Sequence, residues 1–352
     1  MSDAAAQPVT LSEIAHRAGV SRSTVSIVLR GQEKERKISE KTINRVREAA
    51  EKLNYVPNHL ARSLRLQRSG MIGVVMSNLR ADWAESVMGG MLEVFRPNGY
   101  TPFVAIHRFD AELAHRELVS CLQRRDEGII CQPMPAERQL YALIRRSGVP
   151  LIFLGDRPED VPEASFVGWN SDAAARTAVE HLIETGRKRI GYVGVDYPME
   201  MTQGRFRTYV DVLDTAGLSP QEDWIANAPL DWTPEQILEW SLRRMFAPGR
   251  EHPDAIFALN DGIALLLLEE LETRHIRVPQ DVAVIGMGDL PMTGHSGIGL
   301  STVKEPTEEM GREAARLMLD LIANPAQAPV HKLIACRELK IRRTTQPCES
   351  QG

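Results

Sequence analysis

Apolar positions change their spacing near residue 70. Before it they recur every three or four residues; after it they form short continuous runs separated by longer amphipathic stretches. Leu11, Ile14, Ala15 and Ala18 stand at i, i+3, i+4 and i+7, one face of a helix. Thr10 and Glu13 have the spacing of a capping box, which starts that helix near Leu11. Gly19 can take the positive φ of a tight turn, and Ser21 can cap a second helix. On that helix Val25, Val28 and Leu29 face inward, while Arg22, Ser23, Ser26 and Ile27 point elsewhere. A third amphipathic helix runs from about Glu40 to Leu53, with Ile43, Val46, Ala50 and Leu53 on its apolar side. Pro57 biases Val56 away from helical backbone and ends it. Asn58 can cap one more short helix, His59 to about Leu66, whose few apolar residues are Leu60, Ala61, Leu64 and Leu66. Alone in water so short a helix is mostly unfolded, so it reads as a linker that orders only against a partner.

From Met71 the texture is that of alternating strands and helices. Met71–Met76, Thr101–Ile106, Gly128–Cys131 and Pro150–Leu154 read as buried strands, with helices over Ala84–Arg96, Ala111–Arg124 and Ala136–Arg146 between them. The alternation then repeats: strand Arg189–Gly194, helices Thr202–Thr215 and Pro234–Phe246, strand Ala255–Leu259, helix Gly262–Thr273, strand Val282–Gly286. Such alternation predicts parallel sheets with helices on both faces, here in two similar lobes. Ligands of this architecture bind at the carboxyl ends of the strands. The expected architecture is an all-α helix-turn-helix head (1–56), a hinge (57–69), and an α/β body of two doubly wound parallel-sheet lobes (70–345). A polar tail (346–352) follows.

Charge sharpens the division. The chain carries a net charge of −5, yet residues 1–70 hold 13 Lys and Arg against 7 Asp and Glu. A head at +6 on a body at −11 suits contact between the head and a polyanion. No apolar run approaches the roughly 20 residues of a membrane span. Met1–Gln7 lacks the apolar core of a secretory signal, so a cytoplasmic protein is expected. Cys121, Cys131, Cys336 and Cys348 show no C-x-x-C spacing and read as reduced, mostly buried thiols. No Gly-rich phosphate loop, G-x-S-x-G elbow or metal-ligand cluster supports an enzyme, and no cofactor is expected. An exported solute-binding protein shares the two-lobed body but would need an export signal and no basic head.

A helix-turn-helix places the start of its second helix at base edges in the major groove. Arg22 and Ser23 stand there, with Ile27 one turn on. Arg pairs with guanine O6 and N7, and an aliphatic side chain meets a thymine methyl. A generic three-helix cap with a solvated polar face is the competing reading of V-S-x-x-T-V-S alone; the local charge and the conditional hinge tip the balance towards DNA. The segment Val9–Leu66 resembles the head of the lactose/galactose repressor family. The matching pieces are T-L-S-E-I-A-H-R-A-G-V-S (10–21), S-T-V-S (23–26), S-E-K-T (39–42), L-N-Y-V-P-N (53–58) and A-R-S-L (61–64). The resemblance continues to R-V-P-Q-D-V-A-V-I-G (277–286) and L-S-T-V (300–303). It implies base reading by Arg22, Ser23 and Ile27, and backbone contacts by Thr10, Ser21, Thr24 and Ser39. It also implies minor-groove insertion of Leu64 from each subunit of a homodimer. Arg30, Asn58 and Ala61 complete the implied DNA-facing set. Gln32–Lys37 is a longer, charged version of the family loop, and Arg30 replaces its usual Asn.

Several polar residues fall where body strands should end: Ser77, Asp156, Arg157, Asn260, Asp261 and Asp289. Such groups converging on a cleft suit a hydroxylated ligand, and Trp83 or Trp232 could stack on a sugar face. Each also has a plainer reading: Asp261 as a helix cap, either tryptophan as core, Arg205 as a surface ion pair. The resemblance implies effector contacts for Arg205, Trp232, Asn260, Asp156 and Ser77. Trp169 stands where relatives often have Asp. The G-M-G-D form at 286–289 resembles the gluconate-repressor branch, where Arg205 would pair with a sugar-acid carboxylate. The expectation is therefore a repressor that binds double-stranded operator DNA under control of a sugar or sugar acid. A nucleobase effector is the alternative.

Overall fold

The structure, a computed structural model, describes residues 9–29, 36–55, 68–77, 81–134, 138–158, 161, 164–196 and 200–346. The chain divides into two compact units, residues 1–69 and 70–352. The expected roles of Arg30, Asn58, Ala61 and Leu64, most of the loop at 32–37, most of the hinge and Cys348 lie outside the described residues.

The first unit contains helices α1 (Leu11–Ala18), α2 (Arg22–Val28) and α3 (Glu40–Lys52). Each starts on a hydroxyl cap. Glu13 N–H donates to Thr10 Oγ1 at 3.4 Å while Thr10 N–H donates to Glu13 Oε2 at 2.6 Å. Ser21 Oγ accepts from Thr24 N–H at 3.1 Å, and Ser39 Oγ from Thr42 N–H at 3.4 Å. Gly19, at φ 61°, ends α1 in the left-handed region and lets α2 turn back over it. Ile14, Val25, Val28 and Val46 close a small core. Apolar spacing and caps therefore agree on every helix.

In the second unit the first lobe is a parallel sheet ordered β11-β5-β4-β3-β1-β2. Its strands are β1 (Met71–Met76), β2 (Thr101–Ile106), β3 (Gly128–Cys131), β4 (Leu151–Leu154), β5 (Ser165–Trp169) and β11 (His331–Ile334). Helices α4 (Ala81–Phe95), α5 (Ala111–Gln123) and α6 (Arg138–Arg146) connect the first four. The second lobe is ordered β12-β10-β9-β8-β6-β7. It uses β6 (Ile190–Val195), β7 (Ile225–Ala228), β8 (Ala255–Ala258), β9 (Ala283–Gly288), β10 (Ser301–Lys304) and a short β12 (Leu339–Lys340) antiparallel to β10. Its helices are α7 (Ser171–Glu184), α8 (Glu200–Thr215), α9 (Pro234–Met245) and α10 (Asp261–Thr273). Parallel strands are covered on both faces, which is why β1, β3, β4, β6 and β8 read as unbroken apolar runs.

The chain crosses between lobes three times: after β5 into α7, after β10 into α11 (Thr307–Ala323), and between β11 and β12. Helix α11 returns to pack on α4 of the first lobe. Glycines set their approach. A Cβ on Gly90 would lie 2.0 Å from Glu308 O, and one on Gly311 2.0 Å from Val87 O. Sequence periodicity located the early strands and helices within one to three residues, an ordinary end uncertainty. It placed neither β5, α7, β10 nor α11, which carry or adjoin the crossings, nor the edge strand β7. Cys121, Cys131 and Cys336 are buried free thiols. Burial pushes Cys121 and Cys336 up to about 12, so both stay protonated.

Candidate functional sites

On the head, Arg22 and Ser23 open α2 and are exposed, while Ile27, one turn on, is half-buried. The turn at Gly19 and the cap at Ser21 aim the start of α2 outward, because Val25 and Val28 must face the core on the opposite side. Thr24 shares a hydrogen bond with the Ser21 hydroxyl at 2.9 Å. Thr10, Ser21 and Ser39 thus stand at the three helix starts, where backbone N–H groups and the dipole favour a phosphate. Arg36, Lys37, Lys41, Arg45 and Arg47 add exposed positive charge.

In the body the carboxyl ends of both sheets meet at the crossings, and Arg205 lies there. It is 3% exposed. Its Nε donates to Ser171 Oγ at 2.8 Å, Nη1 to Leu259 O at 2.7 Å, and Nη2 to Glu305 Oε1 at 2.9 Å. Its guanidinium carbon sits 5.2 Å from the centre of the Trp169 ring. Three separate pieces of chain therefore hold one side chain: the β5–α7 junction, the end of β8 and the segment after β10. The Arg205–Glu305 pair is buried on both sides, and removing either partner would strand a charge in a dry site.

Asn260 follows Leu259 and caps α10, its Oδ1 accepting from Ile263 N–H at 2.9 Å. Asn260, not Asp261, is therefore the cap. Asp261 turns beneath the strands instead. Its Oδ1 accepts from Thr302 Oγ1 at 2.6 Å and its Oδ2 from Leu290 N–H at 3.0 Å. Burial raises its carboxyl to about 6 against the pull of those hydrogen bonds. Gly288 has φ +143°, and a Cβ there would lie 3.0 Å from Asp261 Oδ2. The neighbouring Asp289, at φ +60°, pairs with Arg342 Nη2 at 2.5 Å.

The other expected residues have settled partners too. Ser77 ends β1, with its N–H and hydroxyl both donating to Gln132 Oε1, at 2.7 and 2.9 Å. Asp156, half-buried after β4, accepts from Arg157 N–H at 2.9 Å. Trp232 follows β7 and meets Trp240 edge-on, ring centres 5.4 Å apart. Trp83, on α4, is partly buried against the core. Arg205, Asn260 and Asp289 come to neighbouring strand ends of one sheet, Ser77 and Asp156 to those of the other; Trp83 and Trp232 lie in packing environments. Sequence reasoning missed Glu305, Ser171, Gln132, Thr302 and Arg342. Glu305 alone had a signal, a carboxylate directly beyond the L-S-T-V strand.

The profile of the family described as bacterial regulatory proteins, lacI family, matches residues 10–58, and that of a periplasmic binding protein-like domain matches residues 179–345. The HTH-type transcriptional regulator CelR of Thermobifida fusca is 31% identical over 345 residues, covering 95% of this chain and 98% of its own. The chain belongs to the lacI family of transcriptional regulators. A lac repressor dimer bound to operator and the anti-inducer ONPF superposes on this regulator with a TM-score of 0.81 at 25% identity, over 97% of this chain and 100% of that one. A CelR–cellobiose complex does so with a TM-score of 0.69 at 29% identity, over 96% and 99%. These relatives are regulators rather than enzymes. No described helix of the regulator is long and apolar enough to cross a membrane.

Proposed function

We propose that this regulator is a cytoplasmic repressor that binds a two-fold operator as a homodimer and changes its DNA affinity when a carbohydrate enters between its lobes. The observation that carries the effector site is the convergence of three chain segments on Arg205 beside Asn260. A ligand bound there would lie against the β5–α7 and β10–α11 crossings, so it could favour one lobe arrangement over another, as a ligand-driven switch requires. The CelR–cellobiose complex and the operator-bound lac repressor dimer support the two halves of this reading.

In this reading Arg22, Ser23 and Ile27 read bases, Thr10, Ser21, Thr24 and Ser39 hold the DNA backbone, and Arg205, Asn260 and Asp156 meet the effector. Ser77, Asp289, Trp83 and Trp232 act around it, and the hinge carrying Leu64 transmits the change. The test is a gel shift of the full-length protein on a palindromic operator, with and without mono- and disaccharides. The expected result is tight binding that disappears when residues 1–69 are deleted and shifts with one sugar. Operator affinity that no sugar changes would overturn the effector half; no sequence-specific binding would overturn the whole.

A further inference from the structure

Arg205 is the cation placed at the proposed effector site, and its charge is already answered from within the protein. A guanidinium has five N–H groups. Ser171, Leu259 and Glu305 take one each, Trp169 covers a face, and one N–H on each terminal nitrogen remains. Glu305 is as buried as its partner, with side chains 7% and 4% exposed. The described charged groups closest to it include two acids and one paired arginine. Asp261 is a buried acid, Asp172 rests against Gly204 next to Arg205, and Arg342 is engaged by Asp289. A ligand carboxylate would thus meet a neutral ion pair with acids beyond it, where a low dielectric strengthens repulsion. A hydroxyl or ring oxygen would instead accept from the two spare N–H groups without adding charge.

We propose that Glu305 is a specificity-determining residue that, by neutralising Arg205, restricts the effector to uncharged carbohydrates and excludes sugar acids. The proposal rests on the reading that the site between the lobes binds a carbohydrate. It runs against the sugar acid suggested by the G-M-G-D segment. Glu305 is a positioning residue too, since it holds Arg205, so the decisive readout is a preference between ligands rather than affinity for one.

The experiment titrates the full-length protein calorimetrically with ring-matched pairs that differ in charge: glucose and glucuronate, galactose and galacturonate, cellobiose and cellobiouronate. For a pair that binds, the wild type should prefer the neutral member by at least about tenfold, a step of about 1.4 kcal/mol. Glu305→Gln, which keeps the shape and an acceptor for Nη2, should narrow or invert that ratio by a similar factor. Glu305→Asp should retain the wild-type preference, and the double variant Arg205→Gln/Glu305→Gln should lose the acid binding gained by Glu305→Gln. A purely structural role would weaken both members together. A wild type that prefers the acid overturns the proposal without any variant and leaves the carbohydrate reading standing; an unchanged ratio in a folded Glu305→Gln protein does the same. Binding of neither member of any pair overturns the carbohydrate reading and the proposal with it.

Discussion

The head and the body handle their polar residues in opposite ways. On the head, the hydroxyls of Thr10, Ser21 and Ser39 bond to the residue three positions on, and Arg22 and Ser23 stay exposed. In the body, Arg205 bonds to residues 34, 54 and 100 positions distant, and Asp261 to Leu290 and Thr302. A local cap stabilises a helix whatever lies beyond it. A distant buried pair exists only after the whole lobe has formed. The head can thus offer its polar face to a partner at no cost to its own fold, whereas the body's site and its stability are the same set of contacts.

Four experiments bear on that contrast. The largest effect belongs to the buried pair: Glu305→Ala should lower body stability by roughly 3–5 kcal/mol, because Arg205 is left without a counter-charge. Urea denaturation of the body transition measures it; a loss under about 1 kcal/mol, the value of an exposed pair, would erase the distinction from the head.

The next effect lies in the pH dependence of the body. Asp261 rises from 3.8 to about 6 on folding, through burial. Between those values the folded state holds a proton that the unfolded state has released, so rising pH favours unfolding, by on the order of 3 kcal/mol. His107, 1% exposed, falls from 6.5 to about 4, again through burial. There the unfolded state holds the extra proton, so rising pH favours folding. The two oppose each other over about pH 4 to 6. Asp261→Asn should leave a stability that climbs with pH in that window, and His107→Asn one that falls. Parallel curves for both variants would refute the assignment.

Arg22→Ala should leave the melting of the head unchanged, since the side chain is exposed. It should cost about 1–3 kcal/mol on the correct operator and little on a sequence changed at the base it reads. Equal weakening on every sequence would make it a phosphate contact. Smallest is Ser21→Ala, expected to cost the head about 1 kcal/mol by removing the α2 cap. Thermal unfolding of the head with no measurable change would show that α2 is held by Val25 and Val28 alone.

How much could be read before the fold was known follows the same line. The three head helices, their caps and the outward Arg22 were legible because periodicity and capping are local. The strands β1, β3 and β4 were legible because both of their faces are buried. The crossing elements were not. β5 and α7 share Trp169–Ser171 as a junction whose polar Ser171 looks like a loop residue until Arg205 arrives. Gly90 and Gly311 lie inside helices, and each is where another backbone passes at contact distance.

The site divides in the same way. Sequence alone placed Asn260, Asp289 and Ser77 at strand ends and marked Arg205 as a candidate, since alternation and resemblance both act position by position. It could not foresee that Arg205 would be neutralised by Glu305, or that Asp289 would turn to Arg342. One hundred positions separate the first pair and 53 the second. Chain spacing therefore determined the helices, the strands and the exposed reading face. Tertiary structure decided which charges cancel, because in a buried site a charge is defined by its neighbours, and those neighbours meet only when the strands of the second lobe have assembled.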